Sequence, residues 1–253
     1  MAGCGVRMGA SEKPLLLLDV TMADFANTLP KSHDVLPSAR SDPFLLAVAH
    51  DLRSRMTAIS GFAHTLRRGD IDASMRTLLF DRLGVNVVAM DRLLSGLLDL
   101  ERARSPNGLR LELIDLAEVA RNTVASQPAA DNRIRVDTKP VLANADAALV
   151  DRIIDNLIVN ALKHTSNGSP VWVRVRPRSD GGLIVVDDAG PGVPDGEKQR
   201  VFEAFVSGGQ TRGSGVGLSL VARFAEMHGG RAWVQDRPGG GASFRVFIPD
   251  GTE

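Results

Sequence analysis

A change of hydrophobic rhythm at Ser105-Pro106-Asn107-Gly108 restricts the fold of this chain more than any other feature. Before it, apolar residues return every three or four positions at Leu45, Val48, Leu52, Ile59, Phe62 and Leu66, and again at Leu79, Leu83, Val87, Met90, Leu94 and Leu97. That spacing lines one face of a helix. Asp42-Pro43 supplies a cap and a first-turn proline, and Arg67-Arg68-Gly69-Asp70 interrupts the stripe, so two long helices in an antiparallel hairpin are predicted. A single hairpin leaves one apolar side uncovered. Pairing with a second copy through residues 42–105, giving a dimeric four-helix bundle, is therefore expected. After the break the texture turns to short alternating runs, which predict strands at 109–113, 133–138, 171–176, 182–187, 231–235 and 242–248. Helices are predicted at 116–126, 147–164 and 215–228, with a shorter one near 196–204. The expected fold is an α-helical hairpin followed by an α+β sandwich with helices on one face of a mixed sheet. The domains would be a leader of unknown role at 1–41, the hairpin at 42–105 and the sandwich at 106–253.

Composition narrows the partners. Thirty basic residues balance thirty acidic ones over 253 residues, so no overall field favours nucleic acid or an anionic membrane. The only cysteine, Cys4, excludes an internal disulfide framework and a cysteine-based metal cluster, and suits a reducing cytoplasm. The aliphatic run Leu15 to Leu18 is far shorter than the ~20 residues of a membrane span, so no span is expected.

Three polar segments carry the chemistry: DNLIVNALKHT at 155–165, DDAGPG at 187–192 and GSGVGL at 213–218. At about 100° per residue, the helix over 147–164 sets Arg152, Asn156, Asn160 and Lys163 on one face, opposite Val150, Ile154, Leu157, Ile158 and Ala161. Taken alone that face has a solvated surface as its lesser alternative. Magnesium accepts a single amide oxygen when phosphates and water complete its shell, so an asparagine there with Lys163 as counter-charge suits a nucleotide. In IVVDDAGPGVP a hydrophobic strand delivers Asp187 and Asp188 into a turn where either carboxylate could accept from an adenine amino group. GSGVGL opens the last helix, where free backbone N–H groups suit phosphate. It is neither the dinucleotide fingerprint nor the lysine-bearing phosphate loop.

In this order the segments resemble the sensor histidine kinases of two-component signalling, in the GHKL (Bergerat) superfamily that also holds gyrase, MutL and the heat-shock chaperone ATPases. DNLIVNALKHT resembles the family's N box, DDAGPG its first glycine box, VFEAF (201–205) its phenylalanine box and GSGVGL its second glycine box. The resemblance covers about 43–249. It implies ATP and Mg2+ as cofactors, with Asn160 on the metal and Asn156 and Lys163 near the phosphates. His164 would flank the nucleotide and Asp188 would recognise adenine. Gly190, Gly192, Phe205, Gly213, Gly215, Val216, Gly217 and Leu218 would line the site. The stretch between Phe205 and Gly213 would cover ATP, with Arg212 as its one cation.

The first helix separates a kinase from an ATPase. FLLAVAHDLRSRMTAI (44–59) resembles the family's phosphoacceptor motif, with His50 as nucleophile. Periodicity alone does not choose His50, because His64 takes the same heptad position fourteen residues later. The neighbours do: Asp51 can orient the ring or take its proton, whereas Thr65 supplies no base. His33 and His228 read as a leader residue and a helix-end residue. Two departures stand out, Arg55 where the family usually has proline and Ser54 where threonine or asparagine supports a phosphatase step. The reading is thus an ATP-dependent histidine protein kinase that phosphorylates His50 and passes the group to an aspartate of a response regulator. That regulator would dock around His50 with Ala47 and Met56. Two alternatives are a non-catalytic dimeric nucleotide-binding scaffold and a chaperone- or gyrase-type ATPase.

Overall fold

Helix starts in this protein are set by aspartates. In the computed structural model, which describes residues 42–106, 108–127, 133–166, 168–203 and 216–251, Asp42, Asp72, Asp115 and Asp146 each cap a helix by accepting from its first N–H groups. The helices they begin are α1 (Pro43–Arg68), α2 (Ala73–Arg104), α3 (Leu116–Ala125) and α4 (Ala147–His164). A fifth, α5 (Val216–Met227), follows later in the chain. Residues 41–253 form one compact unit, and the leader 1–41 lies outside the described residues.

The hairpin forms as expected, with Gly69 in the left-handed region ending α1. α1 runs unbroken through Arg55, where a proline would have removed a hydrogen bond. Its buried face departs from the expected stripe. Phe44, Ala47, Val48 and Asp51 are the buried residues of α1, while Leu45 is 38% exposed. The first turns pack on α5 as well as on α2: Arg223 of α5 lies 4.3 Å over the Phe44 ring and bonds both carboxylate oxygens of Asp42 at 3.1 and 3.2 Å. Two demands on one helix rotate its buried side. Ala47, 1% exposed, is thereby removed from the surface expected to receive a regulator.

After the hairpin come β1 (Glu112–Asp115), β2 (Ile134–Thr138), β3 (Leu142–Ala145), β4 (Val171–Arg178), β5 (Gly181–Asp187), β6 (Arg231–Asp236) and β7 (Ala242–Pro249). Among the described residues they make a two-stranded sheet, β1-β3, and a five-stranded mixed sheet of order β2-β4-β5-β7-β6. β2 and β4 are parallel and the other neighbours antiparallel. One face presents Val173, Val186, Phe244 and Val234 to α4 and α5, whose Ile154, Leu157, Ile158 and Phe224 are fully buried. The strand β3 was not expected: Leu-Ala-Asn-Ala is too short and too small to signal by periodicity, yet Ala143 and Ala145 are fully buried. The helix expected near 196–204 is instead two 3-10 turns, Asp195–Glu197 and Arg200–Phe202. Pro191, Pro194 and Gly196 hold this stretch out of a longer helix.

Three ion pairs join α2 to α4. Arg92 meets Asp155 at 3.5 Å, Asp99 meets Arg152 at 3.0 Å and Arg102 meets Asp146 at 3.0 Å. Arg152 is therefore committed to the hairpin rather than to a ligand. Burial pushes the Asp146 carboxyl up, but Arg102 and the N–H groups of Arg110 and Leu149 outweigh it and hold it below the ordinary value. His228 belongs to this junction: its Nε2 accepts from the Asp146 N–H at 3.0 Å and its Nδ1 lies 2.7 Å from the Phe224 carbonyl. It is a buried structural residue, and burial lowers its pKa. No described helix is long and apolar enough to cross a membrane.

Candidate functional site

The polar face of α4 ends beside the turn that follows β5. Asn156, Asn160 and His164 are half-buried and Lys163 is exposed. The Nδ2 of Asn156 donates to the Arg152 carbonyl at 2.8 Å, which turns its Oδ1 toward Gly217 at the start of α5. The side chain of Val216 is fully buried in the core, which leaves its backbone to face a ligand. Leu218 packs partly against the same core. Phe205, Arg212, Gly213 and Gly215 lie outside the described residues.

Two adjacent carboxylates at the end of β5 take opposite duties. Asp187 lies in register with Trp172 and Ser243 on the helix-free face of the sheet and is ion-paired to Arg174. Asp188, 2% exposed, turns the other way. Its Oδ1 accepts from the N–H groups of Gly190 at 2.8 Å and Ala242 at 3.3 Å. Both bonds end on Oδ1, and Oδ2 is the oxygen left for a ligand. Gly190 permits this turn to close on α4, since a Cβ there would stand 2.6 Å from the His164 carbonyl. Gly192, at φ 79°, ends the turn.

Electrostatics join the turn to both helices. His164 is held below its usual pKa by burial and by Lys163, with Asp188 pulling the other way. Lys163 is lowered first by desolvation and then by Arg55, while Asp51 opposes the shift. The phosphate end expected of the pocket is thus within electrostatic reach of α1 of the same chain. His50 stands exposed on that helix, as does Ser54 one turn on.

Asp51, expected beside His50, has a partner on its own helix. It is buried, and its Oδ2 accepts from Arg55 Nε at 3.0 Å, one turn away. The sequence signal that was missed is the i,i+4 spacing of Asp51 and Arg55.

Among the described residues no cluster of three His, Cys, Asp or Glu side chains could hold an ion alone. A divalent cation at Asn160 would share one hard amide oxygen with phosphate oxygens and water, which suits magnesium. The residues fit the metal in that limited sense.

Comparison with known proteins agrees with this arrangement. Residues 42–106 match the His Kinase A (phospho-acceptor) domain, and residues 145–252 match the histidine kinase-, DNA gyrase B- and HSP90-like ATPase family. The chain is 34% identical over 218 residues to the alginate biosynthesis sensor protein KinB of Pseudomonas aeruginosa, covering 81% of this chain and 36% of that protein. It is 33% identical over 216 residues to the adaptive-response sensory kinase SasA of Parasynechococcus marenigrum, covering 81% and 56%. Full-length ShkA in complex with AMPPNP is similar with a TM-score of 0.54 and 26% identity, over 83% of this chain and 46% of that one. The chain spans between about a third and somewhat over half of the curated relatives named here.

Proposed function

The chain belongs to the sensor histidine kinases of two-component signalling, and we propose that it catalyses its own phosphorylation at His50. An unprotonated ring nitrogen of His50 attacks the γ-phosphorus of ATP. The bond from that phosphorus to the β–γ bridging oxygen breaks, ADP leaves, and the remaining ring N–H proton passes to water. The phosphoryl group then passes to an aspartate on the receiver domain of a response regulator, which regenerates the imidazole.

Each described residue has a defined task in this reading. Asp188 Oδ2 accepts from the adenine amino group and so fixes the base. Asn156, Lys163 and the backbone at Val216-Gly217 meet the phosphates, and Asn160 offers its carbonyl to magnesium. Bound magnesium would neutralise phosphate charge and draw electrons from the breaking bond. The chain's main contribution is positioning. Exposure of His50 leaves it open to an approaching nucleotide and then to a regulator. Ser54, also exposed, is placed to orient a water for a phosphatase step. The apolar faces that the hairpin leaves uncovered support a homodimer through residues 42–105.

The observation that carries the reading is that His50 stands exposed on α1, within residues 42–106 that match the phospho-acceptor domain and ahead of residues 145–252 that match the ATPase family. The test is incubation with γ-labelled ATP and magnesium. Acid-labile label is expected on the wild type and none on His50→Gln, although both bind ATP. Equal labelling of the two overturns the assignment. A labelled chain should then lose its label to a cognate receiver domain.

A further inference from the structure

Asp188 does not hold its own position. Its N–H donates to the Ala242 carbonyl at 2.9 Å, and Oδ1 is held by Gly190 and Ala242. Its carbonyl accepts from Nε of Arg237, 49 residues further along the chain, at 2.9 Å. Arg237 is fixed in turn. Its guanidinium lies 4.6 Å over the Trp172 ring, and its own N–H and carbonyl close the 237–241 turn by bonds of 3.0 Å to Gly241 and Gly240. Gly241, at φ 98°, lets that turn meet the Asp188 backbone, because a Cβ there would stand 2.0 Å from the Asp188 carbonyl oxygen.

From this geometry we infer that Arg237 is a positioning residue for base recognition: stacked on Trp172, it pins the Asp188 carbonyl and so aims Oδ2 at the exocyclic amine of adenine. The inference rests on the adenine-recognising role proposed for Asp188. Its physical basis is the planar guanidinium, which stacks on an indole and donates in its own plane at once. A lysine could donate to the carbonyl but could not reproduce the stacked fork. Without Arg237 the turn keeps only its N–H and Oδ1 bonds, and the carboxylate is free to rotate about an unpinned peptide. The loss should fall on selection of the base, not on grip of the phosphates.

Binding of ATP and of purine riboside 5′-triphosphate, which has hydrogen in place of the 6-amino group, separates these effects. Each is measured on the full chain by displacement of a fluorescent nucleotide. A hydrogen bond to a charged acceptor contributes roughly tenfold or more to affinity, so the wild type should prefer ATP by about that factor. Arg237→Ala should lose most of the preference by weakening ATP binding, while its affinity for the purine analogue stays at the wild-type value. Arg237→Lys should keep part of the preference. Trp172→Phe, which retains a ring, should keep more of it than Trp172→Ala. If Arg237→Ala keeps the full preference, or weakens both nucleotides equally, Arg237 is only a structural prop and the inference falls. If the wild type itself shows no preference, the fault lies with the role of Asp188, and the inference falls with it. Should Arg237→Ala not fold, the lysine and Trp172 variants decide by the same ratio.

Discussion

The α/β part and the helical hairpin keep their apolar residues in different conditions. Leu149, Ile153, Ile154, Leu157 and Ile158 of α4 are all fully buried. On α2, by contrast, Phe80 is 58% exposed, Val87 54% and Leu98 69%. The first part completes its core within one chain. The second has a surface that stays exposed among the described residues, and the hairpin's own stripe points part of it outward. A homodimer is the proposed use of that surface. The comparison also assigns tasks: a self-sufficient core can hold a nucleotide pocket to tight tolerance, whereas an unfinished bundle can respond to what joins it.

Paired substitutions break this comparison most strongly. Ile154→Ala removes a buried branch from a packed core and should cost about 3 kcal/mol of stability, read by urea unfolding. Val87→Asp should leave the stability of the monomer within about 0.5 kcal/mol. In the same protein it should weaken self-association roughly tenfold or more in sedimentation, because an interface would bury an unpaired charge. A large loss of monomer stability with no change in association would reverse the contrast.

The seam between the two parts offers a smaller effect. The Asp99–Arg152 pair is partly buried, with side chains 23% and 30% exposed, so Asp99→Ala should cost about 1 kcal/mol. The swap Asp99→Arg with Arg152→Asp should restore part of that in a double-mutant cycle. Additive losses would mean that the pair does not join α2 to α4.

A further effect is in pH. Burial lowers the pKa of His228 in the folded chain, and His164 is lowered in the same direction. The unfolded chain therefore binds protons first as pH falls below about 6.5. Stability should be full above that pH and decline below it, by at most about 1.4 kcal/mol per unit for one proton. His228→Gln should flatten the slope between pH 7.5 and 5.5 in urea titrations. An unchanged slope would assign it wholly to other groups.

What was legible in the sequence follows from range. α4 was predicted at 147–164 and observed at Ala147–His164, because a cap, a strong apolar face and basic residues in its last turn all lie within the element. The strands β4 to β7 were also read to within two residues at either end. The site was legible as motif order. Its supports were not. Asp51 reads as the partner of His50 by adjacency, yet the helix buries it with Arg55. Arg237 reaches Asp188 across 49 residues and Trp172 across more, so no local pattern announces it; the Pro238-Gly239-Gly240-Gly241 turn was the one hint. Among the expected ligand residues, Val216 came with the GSGVGL segment as a whole, and the segment does not say that its side chain is buried in the core.

The central claim is that the nucleotide site of this chain serves one histidine on its hairpin. Mapping the phosphohistidine tests it most directly. Trypsin separates the two candidates, since cleavage after Arg40 and Arg53 isolates His50 in residues 41–53, and cleavage after Arg55 and Arg67 isolates His64 in residues 56–67. After incubation with γ-labelled ATP and magnesium, digestion at neutral to mildly alkaline pH should put the label in 41–53. Label in 56–67, or nucleotide binding with no labelled peptide at all, would contradict the account.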